Sequence, residues 1–280
     1  MRILSWNIQW GLGLDGRVDL DRITSDIRKN GDPDVICLQE VTAGFDDLRG
    51  NDGSDQFAFF AKAFPSHAAI AAPVLDVAHP RGDRRIFGNM ILSRRPVGLV
   101  QRHTLPWPTM PARECMPRGL VSATIEAPWG PLRVMTAHLE YSAAELRAPQ
   151  IEAIRAIHAA TCARVAAPPK PGKGTYAPKP EPTSAILLGD FNMPPGEANR
   201  ARLMAAPDAP GASRFLDAFE LANPGTPHPP SMCLFDQADG PSRCLDYAFC
   251  TEDLAPRIAA VAYDQESRAS DHQAITVDIG

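Results

Sequence analysis

Apolar residues fall into short runs of strand length, most of which end at a polar side chain, and between them lie stretches with helical spacing. Ile3 to Ile8 reads as a strand with Asn7 near its end. From Asp19 to Lys29, Leu20, Ile23 and Ile27 form one helical face, which Gly31, Asp32 and Pro33 terminate. Val35 to Leu38 is a second strand, and it delivers Gln39 and Glu40 at its carboxyl end. Strand, helix, strand in this order is an α/β unit. Phe57 to Phe64 predicts a helix, Ile70 to Val77 a strand pair or edge, and Met90 to Leu92 the middle of another strand. Pro106, Pro108, Pro111 and Pro117 rule out regular structure through most of the segment between Arg102 and Arg118.

Leu120 to Ile125 and Leu132 to Thr136 read as two strands joined by a turn at Pro128-Trp129-Gly130-Pro131, and the second ends in Ala137-His138. Ser142 to Val165 has helical spacing, with Pro149 near its start. Lys170 to Pro182 is a surface loop. Ala185 to Leu188 has the length of a buried strand, after which Gly189 lets the chain turn and Asp190 and Asn192 appear. If the extended conformation continues, both side chains project to one side. Ala198 to Ala206 and Ser213 to Leu221 predict short helices, separated by Pro207-Asp208-Ala209-Pro210-Gly211. Pro224 to Pro241 is irregular. Cys244 to Cys250 carries Asp246, and Asp271 and His272 precede a strand from Ala274 to Ile279.

Composition narrows the class without choosing a chemistry. With 44% hydrophobic and 22% charged residues, the 280-residue chain is that of a soluble globular protein. A net charge of -5 argues against a broad electrostatic footprint for nucleic acid. Six cysteines without a Cys-x-x-Cys pair or metal-ligand spacing read as reduced thiols. No leader pattern or membrane-spanning run is visible, so a cytoplasmic location with no membrane span is expected.

Asn7, Glu40, His138, Asp190 and Asn192 follow apolar runs, whereas Asp246, Asp271 and His272 precede or open them. In a mixed sheet the start of one strand lies beside the end of its antiparallel neighbour, so all can share one rim. The order Trp6-Asn7, Leu38-Gln39-Glu40, Thr136-Ala137-His138-Leu139, Gly189-Asp190-Phe191-Asn192, Leu245-Asp246-Tyr247 and Ser270-Asp271-His272 resembles the endonuclease/exonuclease/phosphatase superfamily. The resemblance spans nearly the whole chain. It implies a single domain over 1–280, built as a four-layered α/β sandwich with two central mixed β-sheets packed face to face and helices outside.

It also implies a metal-dependent hydrolase acting on phosphoester bonds. Glu40, assisted by Asn7 and with Asp271 on the metal side, would hold Mg²⁺ or Mn²⁺, since oxygen ligands suit a hard cation. Asp190 would orient and deprotonate the attacking water, with Asn192 holding it or the phosphate. His272, fixed by Asp246, and His138 would donate to the phosphate oxygens. Arg118 and Asn89 are expected near the substrate. Two departures stand out: Gln9 replaces an acidic residue carried by some nucleases, and His138 replaces the tyrosine of abasic-site endonucleases.

The expected substrate is a phosphodiester of a small molecule or lipid headgroup. A nuclease is the alternative, and it would need a basic groove from Arg81, Arg84, Arg85, Arg94, Arg95, Arg102 and Arg118. A noncatalytic binding protein on the same fold is a third reading.

Overall fold

Strand β1 (Arg2–Asn7) sends alternate side chains to opposite faces, and both faces meet apolar partners. Leu4 and Trp6 cluster with Ile36 and Leu38 of β2 (Val35–Ala43), while Ile3, Val35 and Cys37 belong to a cluster shared with a second sheet. A strand covered on both sides needs a continuous apolar run, which is what these segments have. Helix α1 (Leu20–Lys29) connects the two strands as a parallel crossover and buries Ile23 and Ile27 on the Leu4 side. Asp19 caps it by accepting a hydrogen bond from the Arg22 amide at 2.9 Å.

The computed structural model describes residues 1–207, 209 and 211–280. Its strands form two mixed six-stranded sheets. In the first, β1 and β2 are central. Beyond β1 lie β12 (Ile275–Ile279) and β11 (Ile258–Tyr263), and beyond β2 lie β4 (Arg84–Ser93) and β3 (Ala68–Ala78). In the second, β7 (Gly130–His138) and β8 (Ala185–Asp190) are central and parallel. They are flanked by β6 (Gly119–Ala127) and β5 (Val97–Thr104) on one side, and by β10 (Asp246–Thr251) and β9 (Phe215–Asp217) on the other.

Helix α2 (Gln56–Ala63) joins α1 outside the first sheet through Phe57 and Phe60. Helix α3 (Ala144–Ala166) packs Ile151 and Ile154 against the second sheet, where α4 (Ala198–Met204) and α5 (Ala218–Ala222) also lie. Helix, sheet, sheet, helix is the four-layered sandwich. Buried Gln39 ties the sheets together, donating to Ser5 Oγ at 3.2 Å and Thr136 Oγ1 at 2.9 Å.

Each sheet is thus centred on one parallel pair with a helical crossover. Asn7 and Gln39 are register partners at the end of one pair, and His138 and Asp190 at the end of the other. A hydrogen bond of 3.0 Å from Asn7 Nδ2 to Asp190 Oδ2 brings the two ends together.

Several elements differ from the sequence expectation. Ser213 to Leu221 is not one helix, because Phe215–Asp217 pairs with Phe249–Thr251 and covers an edge of β10 that would otherwise stand open. Strands β5 and β11 lacked a signal strong enough to read, since half-exposed edge strands need little apolar content. Beyond Asp190 the chain does not stay extended: Asn192 has φ +51°. Asp208 and Pro210, within the expected separator between two helices, lie outside the described residues.

Candidate active site

Asp190 ends β8 with His138 of β7 beside it on one flank and Asp246 of β10 on the other. The preceding Gly189 allows this closeness, because at its φ of +142° a Cβ would sit 2.0 Å from the Ala137 carbonyl oxygen. The Asp190 carboxylate is 1% exposed and richly bonded. Its Oδ1 accepts from the Asn192 amide at 2.9 Å, and its Oδ2 accepts from Asn7 Nδ2 at 3.0 Å and Asn192 Nδ2 at 3.3 Å. Burial pushes its pKa up to about 6, against the pull of His272 and with the help of Asp246.

His272 is held from behind. Its Nδ1 lies 2.7 Å from Asp246 Oδ2, and its Nε2 lies 3.7 Å from Asp190 Oδ2. Burial opposes its charge, but Asp246 and Asp190 outweigh burial and carry its pKa well above the usual histidine range. The ring is therefore an imidazolium that donates to Asp246 and presents a second N–H towards Asp190. Ser231 Oγ donates to Asp246 Oδ2 at 2.6 Å and accepts from the Leu245 and Asp246 amides.

His138 behaves oppositely, since burial, followed by the charges of Arg118 and His272, holds it neutral. Its Nε2 is 3.4 Å from Asp190 Oδ2, while its buried Nδ1 has no hydrogen-bond partner and lies 3.9 Å from Glu40 Oε1. Arg118 is buried too. Its Nε has no hydrogen-bond partner and stands 3.7 Å from Glu140 Oε2. A buried guanidinium N–H left unpaired beside a cavity suits an anion such as a phosphoryl group.

Glu40 sits at a bulge of β2 with φ +60°, and its Oε1 accepts from Asn7 Nδ2 at 3.2 Å. Burial, and then the charge of Asp271, pushes its pKa up to about 7. Asp271 Oδ2 accepts from Gln9 Nε2 at 2.9 Å, so Gln9, where a carboxylate would have added repulsion, orients one. Burial, and then the charge of Asp190, likewise raises the Asp271 pKa against the pull of His272, and two half-buried carboxylates side by side are oxygen donors suited to a hard divalent cation. Asn7 presents its amide nitrogen to Glu40 and Asp190, and its oxygen accepts from the Gln9 amide at 3.1 Å. Through that nitrogen it ties the two carboxylates together.

Glu40, Arg118, His138, Asp190, Asn192, Asp271 and His272 line one cavity of about 700 Å³. Asn7 and Asp246 stand directly behind it. Asn89 is apart: it donates to the Gly119 carbonyl at 3.2 Å and lines a neighbouring 80 Å³ hollow behind Arg118. Among the described residues, Asp190, Asp246 and His272 also form a group compact enough for a cation, but the His272–Asp246 hydrogen bond already links two of its ligand atoms. A second such group, Asp217, Glu220 and His228, is already engaged by Arg200, which bonds both carboxylates.

Sequence reading missed the roles of Glu140 and Ser231. Glu140 is 1% exposed and accepts from the amides of Met116, Tyr141 and Ser142, which fixes the loop beside Arg118. Its adjacency to His138 was the available signal, whereas Ser231 lies in an irregular stretch that gave none. The candidate arginine groove is not assembled. Arg81 and Arg85 pair with Asp46, Arg84 with Asp76 and Arg94 with Asp32, while Arg95 and Arg102 donate to the carbonyls of Glu126 and Ala71.

The model of a protein family described as "Endonuclease/Exonuclease/phosphatase family" matches residues 4–272. No curated protein matches the chain. Among solved structures, an endonuclease/exonuclease/phosphatase from Beutenbergia cavernae is similar at 21% identity and TM-score 0.68, covering 100% of this chain and 72% of that one. D. rerio TDP2, complexed with a single-strand DNA product, is similar at 20% identity and TM-score 0.62, covering 100% and 98%. A Bacteroides thetaiotaomicron mannosyl-6-phosphatase is similar at 14% identity and TM-score 0.63, covering 100% and 99%. At these identities the likeness is one of fold.

Proposed function

The chain belongs to the endonuclease/exonuclease/phosphatase family, and from its site we propose a metal-dependent phosphodiesterase, one domain over residues 1–280, acting on a small-molecule or lipid-headgroup phosphodiester. The observation that carries this reading is a pair of oppositely charged groups at one point: His272, held protonated by Asp246 and Asp190, and, 3.7 Å away, the Asp190 carboxylate, whose pKa burial raises to about 6. Asp190 orients a water and accepts its proton, and Asn192 holds the carboxylate in line. Arg118, the free edge of His272 and the single N–H of neutral His138 donate to nonbridging phosphate oxygens as charge grows there. Asp246 keeps His272 charged and oriented. Mg²⁺ or Mn²⁺ held by Glu40 and Asp271 would supply charge neutralisation at the phosphate. Asn89 acts behind Arg118, through Gly119.

TDP2 with its DNA product keeps a nuclease as the alternative, but the carboxylate-paired arginines speak against a polyanion groove here. Six cysteines without a disulfide support a reducing, cytoplasmic setting. No described helix is long and apolar enough to cross a membrane.

The test is hydrolysis of bis-p-nitrophenyl phosphate against the monoester in Mg²⁺, Mn²⁺ and EDTA, with Asp190→Ala and His272→Ala as controls. Metal-dependent diester cleavage absent from both variants is the expected result. A monoester preference would overturn the diester assignment, and turnover unaffected by either variant would overturn the site.

A further inference from the structure

One side of the catalytic cavity is apolar. Strand β4 runs next to β2, with Phe87 in register with Thr42, two residues beyond Glu40, and with Leu75 of β3 paired to Phe87 on its other side. Phe45 and Leu48, on the loop that follows β2, complete a wall with Leu75 and Phe87 in the same cavity as Asp190 and His272. The Phe45 and Phe87 rings meet edge to face, with centroids 6.4 Å apart.

This wall is built rather than incidental. Gly44, at φ +75°, starts the loop where a Cβ would lie 2.4 Å from the Arg84 carbonyl oxygen, and its amide donates to the Gly53 carbonyl at 2.8 Å. Asn51 Nδ2 donates to the Phe45 carbonyl at 2.8 Å. Asp46 is locked by Arg81, Arg85 and His79, and the Arg85 guanidinium lies 5.3 Å from the centre of the Phe45 ring. The loop has no freedom to fold its apolar side chains away, so they remain part of the cavity lining, one strand from the phosphate-binding groups. The cavity of about 700 Å³ is shared between this wall and the phosphate-binding groups, which suits a ring-sized apolar occupant and not a long chain.

Resting on the phosphodiesterase reading above, we propose that the substrate carries a compact apolar substituent, ring-sized, which lies against Phe45, Leu48, Leu75 and Phe87 while its phosphate meets the catalytic groups. The wall then separates substrates by the group attached to phosphorus. A hydrophobic pocket discriminates by roughly 10- to 200-fold per missing apolar group of methylene size, so a ring should exceed the low end of that range.

The experiment compares p-nitrophenyl phosphodiesters whose second substituent is methyl, phenyl or octyl, in Mg²⁺, with wild type, Phe45→Ser and Leu48→Ser. The expected wild-type kcat/KM rises at least about tenfold from methyl to phenyl, mostly through KM, and does not rise tenfold again to octyl. In both variants the phenyl-to-methyl ratio should fall towards one, a readout that a general loss of activity leaves unmoved. A ratio near one in wild type, or a ratio preserved in both variants, would overturn the wall, and a further tenfold gain with octyl would overturn the compact occupant. If no ester turns over, the hydrolytic reading fails and calorimetry with diphenyl and dimethyl phosphate decides the wall alone. Preference for the diphenyl ester sustains it, and equal or absent binding overturns it.

Discussion

Replacing Glu40 with glutamine should make the metal-free protein more stable while removing its activity. The folded protein holds the Glu40 proton to a higher pH than the unfolded chain does, because burial and Asp271 disfavour the charge. The sign follows: below its ordinary pKa of 4.5 the group contributes nothing, stability falls as pH rises towards about 7, and above that the full penalty stands. Carrying the pKa from 4.5 to about 7 corresponds to about 3 kcal/mol. Solvent reaches 17% of the side chain, so the expected gain for Glu40→Gln is about 2 kcal/mol at about pH 8. Glutamine keeps the shape and the bond from Asn7, so no cavity offsets it. Urea unfolding in EDTA, at about pH 4.5 and about pH 8, measures the difference, which should be near zero in acid and full in base. Repeating it with Mg²⁺ should raise the stability of the wild type but not of the variant. A variant equal to or weaker than wild type at the alkaline pH in EDTA would refute the buried-pair reasoning.

Three further outcomes follow from the same geometry. Asp246→Asn removes the nearest charge that raises the His272 pKa, so His272 should lose its proton at lower pH. The alkaline limb of the kcat/KM profile should move down accordingly, and an unmoved limb would count against His272 as the acting cation. Gly189→Ala places a Cβ 2.0 Å from the Ala137 carbonyl oxygen at φ +142°, and urea titration should show a loss of roughly 3 kcal/mol or more together with loss of activity. Arg133 is 1% exposed with Nε and Nη1 unpartnered, and burial pushes its pKa down to about 10. Arg133→Met should therefore be neutral or raise Tm, and a fall equivalent to more than about 1 kcal/mol would show that its bond to His158 matters more than its desolvation.

The parts of the fold legible in the sequence were those where burial leaves no choice of residue. β1, β2, β7 and β8 are covered on both faces, so their apolar runs were unmistakable and their polar ends stood out. β9 has three residues and is paired on one side only, a pattern indistinguishable from the start of a helix. The candidate site residues stood out for the same reason, since a polar side chain that ends a buried run must be bonded or used. Ser231 and Gln9 act through backbone amides or neighbouring carboxylates, partners that leave no trace in residue spacing, and for Glu140 adjacency to His138 did not disclose the amides it accepts from. Nor could spacing reveal that Asn192 reaches Asp190 by a left-handed turn, or that the basic loop residues are matched by Asp46 and Asp76.

Unfavourable conformations concentrate around the candidate site. Among the described residues, seven non-glycine positions have positive φ, and four of them, Gln9, Trp10, Glu40 and Asn192, line the catalytic cavity. Each costs on the order of 1 kcal/mol and persists only because neighbours over-determine it. Gln9 is bonded to Asp271, Trp10 Nε1 donates to the Arg49 carbonyl, and Asn192 is fixed by both Asp190 and the Leu139 carbonyl. The same pole holds three carboxylates whose pKa values are raised and a buried Arg118 Nε without a hydrogen-bond partner. A cation would relieve the carboxylates, and a phosphate oxygen the unpaired guanidinium N–H. A sequence selected for stability alone would have removed them with substitutions such as Glu40→Gln. Their joint presence at the meeting point of both parallel strand pairs is therefore the strongest structural argument that this pole binds and transforms a ligand.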